Sequence, residues 1–108
     1  DPDWGSWYAY RAVVLADTDF CPSRAVDRNS PCNSCKTQPC IAACPPQAMA
    51  DGSFSLARCA AYRTQPGSAC AFTCLARVAC PVGSAHRYDA DQLRHTYAIS
   101  LRTIREYF

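Results

Sequence analysis

The chain has 108 residues and a mass of 11.8 kDa, enough for one domain around one small core. Its formal net charge of +2 carries no polybasic signal for nucleic acid or a membrane surface. The longest apolar run, residues 12–16, falls far short of the roughly 20 residues of a bilayer span, and 49% hydrophobic content argues against disorder.

Residues 1–20, DPDWGSWYAYRAVVLADTDF, hold Trp4, Trp7, Tyr8 and Tyr10 ahead of an apolar run. Tyr10–Leu15 reads as one strand, bounded by Gly5 and by the Asp17/Asp19 cluster. A single strand is not stable alone, so this segment is expected to be a remnant of, or a contact to, an upstream domain. An exposed aromatic group of this kind is uncommon on a monomer. The chain starts without Met and without a signal-peptide pattern, and reads as a fragment or processed product. Residues 21–31, CPSRAVDRNSP, are expected to be a linker.

Residues 32–49 contain four cysteines, and Pro39 suits the first turn of a helix. Asp51-Gly52 between short apolar flanks is a hairpin signal. Residues 56–64, LARCAAYRT, predict a helix, with Leu56, Cys59, Ala60 and Arg63 at helical spacing. After the turn Gln65-Pro66-Gly67-Ser68, residues 69–79 predict a second short helix, ended by Pro81 and Gly83. From Asp89 the pattern is clearest. Asp89 and Gln92 have the spacing of a variant capping box, and Leu93, Tyr97, Leu101, Ile104 and Phe108 line one face. The expected fold class of these elements is α+β, with short helices and a short hairpin over 32–88, followed by a C-terminal helix at 89–108.

The cysteines form a weak internal repeat. The first set is Cys32-x2-Cys35-x4-Cys40-x3-Cys44-Pro45, and the second is Cys59-x10-Cys70-x3-Cys74-x5-Cys80-Pro81. Each has four cysteines and ends in Cys-Pro. The bacterial iron–sulfur run is C-x2-C-x2-C-x3-C-P, whose fourth cysteine serves the other cluster when two are present. A cubane needs four thiolates converging from different directions. Cys40 and Cys44, at i and i+4 of a helix, would lie about 6 Å apart along its axis, which suits two neighbouring clusters better than one. Pro45 and Pro81 turn the chain away.

Two rival chemistries stay open. Structural zinc favours pairs of Cys-x-x-Cys, and only Cys32/Cys35 forms one. A disulfide scaffold favours an even count, and nine is odd. Haem attachment would need histidine where Lys36 stands.

The segments PCNSCKTQPCIAACPPQAM and LARCAAYR…CAFTCLARVACPVGSAHRY resemble the dicluster ferredoxin domains of epoxyqueuosine reductases and reductive dehalogenases, over roughly residues 30–90. This chain departs from the usual reductase in the four residues before Cys40 and in the three between Cys70 and Cys74. The resemblance implies a small α+β ferredoxin-like dicluster domain at 32–88 with two [4Fe–4S] clusters, one held by Cys32, Cys35, Cys40 and Cys80, the other by Cys44, Cys59, Cys70 and Cys74. It also implies a cobalamin-type or similar reductase domain upstream, or a redox partner protein. The expected role is electron transfer in the cytoplasm, with no catalytic residue of its own, no nucleic acid and no membrane span. The alternative is a cysteine-rich structural or interaction domain stapled by disulfides or zinc.

Outside the two sets, Cys21 is a spare ligand or a free thiol of the linker. His86 is a tuner of a nearby cluster or an ordinary histidine, and His95 receives no role. Arg77, Arg87 and Arg94 offer a basic rim for an anionic partner, or simply a solvated face. No glycine-rich phosphate loop exists, since the four glycines are scattered.

Overall fold

The computed structural model describes residues 1–5, 12–24 and 29–108. It divides into two compact units, Asp1–Lys36 and Thr37–Phe108.

In the first unit, Asp1 caps a tight turn. Its carboxylate accepts from the backbone N–H groups of Asp3 (2.9 Å) and Trp4 (2.8 Å), and the N–H of Gly5 returns to the Asp1 carbonyl at 2.9 Å. Residues 12–24 have no regular structure and are exposed. The short helix α1, Pro31–Ser34, starts at Ser30, whose hydroxyl accepts from the N–H of Cys32, and proline occupies its first position.

The second unit holds four helices: α2 (Pro39–Ala42), α3 (Leu56–Arg63), α4 (Leu75–Ala79) and α5 (Ala90–Tyr107), with a 3-10 turn at Ser84–His86. Helix α2 packs on α4. Ser55 caps α3 through the N–H of Arg58, and Asp89 caps α5 through the N–H of Gln92 at 2.8 Å. The face expected on α5 is buried at Leu101 and Ile104, half-buried at Leu93 and Tyr97, and exposed at Phe108. The buried apolar residues are Ala48, Ala60, Cys70, Ala76, Leu101 and Ile104. Four of these six are alanine or cysteine, and no large side chain among the described residues is fully buried. So thin a core leaves much of the stabilisation to something other than apolar packing.

Five expectations are corrected. The described residues are helical and contain no strand or sheet, so the fold is not an α+β ferredoxin-like one. The expected strand Tyr10–Leu15 lies partly outside the described residues, at Tyr10 and Arg11. Its remainder forms no strand, and Val13, Val14 and Leu15 are exposed, with no partner strand to supply a ladder. The hairpin at Asp51-Gly52 is instead a loop. The N–H of Ser55 meets the Ala48 carbonyl at 2.7 Å, and Arg58 from α3 grips Asp51 at 2.8 Å. The flanks between those anchors are too short to pair as strands.

The second short helix covers only Leu75–Ala79, not 69–79. The carbonyls of Cys70 and Ala71, which a helix would give to the N–H groups four residues on, are taken instead by the guanidinium of Arg63, at 3.1 and 3.5 Å. Helix α2 also ends at Ala42, so Cys44 lies beyond it and the two cysteines do not share one regular helical turn.

Candidate metal centre

No disulfide joins any of the nine cysteines. The thiol of Cys59 on α3 is pushed above its ordinary value of 9.0, first by burial, against which the charge of Arg63 acts, and further by Cys74, Cys44 and Cys70. These three are the cysteines that the family resemblance grouped with Cys59. They arrive from separate pieces of chain: Cys44 after α2, Cys59 inside α3, Cys70 in the turn after Ser68, and Cys74 as the residue preceding α4. Cys70 is buried and the other three are half-buried.

Among the described residues, no group of three or more His, Cys, Asp or Glu side chains is drawn together tightly enough to hold a metal ion. A single tetrahedral zinc with thiolates at 2.3 Å would need sulfurs about 3.8 Å apart. The ligands of an iron–sulfur cubane each bind a different iron and stand further apart.

The remaining members of the first set are divided by the units. Cys32 lies in α1 and Cys35 directly after it, both in the first unit, while Cys40 in α2 and Cys80 after α4 belong to the second. Cys21 is exposed in the irregular segment. His86 and His95 are exposed, on the 3-10 turn and on α5.

Several residues at these cysteines were not singled out from the sequence for the position they take. Gly5, buried at φ +57°, leaves no room for a side chain, because a Cβ there would come within 2.7 Å of the Cys32 sulfur. Arg87 donates to the carbonyl of Cys80, and its Nε is buried with no partner among the described residues. Such a donor lacks an acceptor beside one proposed ligand.

Tyr97 is half-buried on α5. Its phenol is pushed up to about 12, chiefly by burial and by the charge at Cys74, with Arg77 and Arg63 pulling the other way. Gln38 (φ 40°) and Gln47 (φ 48°) adopt left-handed backbone conformations on either side of the segment holding Cys40 and Cys44. For residues with a Cβ such conformations cost energy and persist only where the surroundings impose them. Arg94 covers the ring of Phe72 at 5.5 Å, so one of the three arginines of the expected rim is engaged with an aromatic face.

The chemistry of the donor set fits an anionic group. Arg63 is only 6% exposed, and its partners are all neutral: the carbonyls of Cys70, Ala71 and Tyr97 and the hydroxyl of Ser100, with its guanidinium over the Tyr97 ring. A buried cation with no counter-ion among the described residues is costly, and four thiolates on iron would supply negative charge there. No family model, curated protein or solved structure matches the chain. No helix among the described residues is long and apolar enough to cross a membrane.

Proposed function

We propose that the chain moves electrons one at a time through two [4Fe–4S] clusters, one on Cys32, Cys35, Cys40 and Cys80 and the other on Cys44, Cys59, Cys70 and Cys74. The observation that carries this reading is the buried Arg63, one helical turn from Cys59 and hydrogen-bonded to the Cys70 carbonyl, whose partners among the described residues are all neutral. The Cys-Pro repeat and the resemblance to reductase ferredoxin domains support it from the sequence side. When bound, each cluster supplies a one-electron couple whose potential depends on nearby charge, hydrogen bonds and burial.

The chain's own residues do the rest. Arg63 ties the Cys70 turn to α5. The α2–α4 contact sets the segment before Cys44 against the segment after Cys74. In this reading the chain is a module of a larger cobalamin-type or similar reductase, or the tightly docked partner of one, in a reducing compartment such as the cytoplasm. Electrons pass on to that partner, and no bond-making step occurs on this chain.

Anaerobic purification after expression with an intact cluster-assembly system tests the reading. Brown protein with about eight iron and eight sulfide per chain is expected. Colourless protein carrying stoichiometric zinc, or cysteines joined in disulfides, would reject it.

A further inference from the structure

We propose that Arg63 is a charge-balancing and positioning residue that raises the reduction potential of the cluster on Cys44, Cys59, Cys70 and Cys74. The inference deepens the proposed function and rests on it.

Three features of Arg63 carry the argument. It projects from α3 one helical turn beyond Cys59, since the two positions are i and i+4. Its side chain is buried, and the guanidinium is held at 3.1 Å from the Cys70 carbonyl, 3.2 Å from the Tyr97 carbonyl and 3.0 Å from the Ser100 hydroxyl. No carboxylate of the described residues takes part in this set. A surface arginine would be screened by water and salt, but this one is not.

A helix with a buried arginine among neutral acceptors is a poor choice for stability alone. An apolar side chain of the same volume would fill the space without desolvating a cation. A negative charge nearby in the working protein would offset that cost. Reduction adds one electron to the cluster, makes and breaks no bond, and takes up no proton, so the reduced state carries one more negative charge. A fixed cation in a water-poor site stabilises that state more than the oxidised one.

The geometry also explains why the group is arginine. Nε reaches the Cys70 carbonyl while the two terminal nitrogens reach Ser100, Ala71 and Tyr97, a fork that lysine cannot reproduce.

The test is a redox titration of the full chain, poised with dithionite under anaerobic conditions and followed by EPR. Wild type is compared with Arg63→Met, Arg63→Lys and Ser100→Asp. The last places a carboxylate against the guanidinium at a half-buried position of α5 and cancels its charge while keeping the arginine.

At the potential where the second cluster of wild type is half reduced, Arg63→Met and Ser100→Asp are expected to lower its reduced-to-oxidised ratio at least tenfold. Tenfold corresponds to about 59 mV for one electron. Arg63→Lys should restore most of the ratio, and the couple of the other cluster should stay in place. Unchanged ratios in Ser100→Asp that retains its iron would overturn the proposal, and so would equal shifts of both clusters. If Arg63→Met fails to fold, Ser100→Asp decides alone. Iron and sulfide in wild type are measured first. Colourless wild type refutes the underlying reading, whereas brown wild type with unmoved potentials refutes only the role of Arg63.

Discussion

At the scale of single residues, the informative side chains are those whose chemistry is out of place for a surface. Tyr97 is one. Burial and the charge at Cys74 hold its phenol protonated up to about 12, against an ordinary value of 10.0. The sign follows from linkage. A raised folded-state value means that Tyr97 contributes stability fully below pH 10 and loses that contribution as pH rises toward 12. In protein without metal, phenolate absorbance should therefore show one tyrosine titrating late. Tyr97→Phe should remove that late component and flatten the fall in stability between pH 10 and 12. A late component that survives the substitution would assign it elsewhere. From sequence, Tyr97 was legible only as a member of the apolar face of α5, because a phenol's burial and its neighbour at Cys74 arise from chain segments over 20 residues apart.

At the scale of elements, the helices are short and depend on their caps and on a few buried contacts. Helix α5 is the exception in length, and its start was readable: Asp89 and Gln92 meet as the capping pattern requires. Asp89→Ala should cost about 1 kcal/mol in chemical denaturation, the usual loss for a capping side chain. Leu101→Ala, at one of the two buried positions of α5, should cost about 2–5 kcal/mol. Equal effects of the two substitutions would mean that α5 is held by its cap rather than by its packing. Ala76 on α4 is buried, and the α2–α4 contact leaves little room there. Ala76→Leu should destabilise by about 1–3 kcal/mol through overpacking. The helix expected over 69–79 was not recoverable from local spacing. Its first half competes for the same carbonyls that Arg63 claims, and that competition is set by a residue on a different helix.

At the scale of the whole molecule, the division into Asp1–Lys36 and Thr37–Phe108 separates the cysteines unevenly. Cys44, Cys59, Cys70 and Cys74 all fall in the second unit, as do all six buried apolar residues. A fragment of residues 37–108 should therefore bind about four iron where the full chain binds about eight. Cys44→Ala in that fragment should abolish its iron, because Cys44 completes the second set. Undiminished iron in that variant would reject the exchange of the fourth ligand between halves. The exposed stretch with Val13, Val14, Leu15 and Phe20 belongs to the first unit and adds nothing to the buried core.

Patterns local to the chain were enough to indicate α3, the start and face of α5, and the two Cys-Pro sets with their spacing. Each depends on residues within one or two turns of one another, where periodicity and capping act directly. The absence of a sheet, the truncation of α4 and the burial of Arg63 depended on distant segments meeting. Pairing for the Tyr10–Leu15 segment could come only from other strands, and the described residues contain none. The Cys70 turn yields its carbonyls to a guanidinium from α3, which in turn leans on Tyr97 and Ser100 of α5. Hydrogen bonds that bridge three elements leave no periodic trace in any one of them. Tertiary packing therefore decided where the buried charge sits, and local pattern could not.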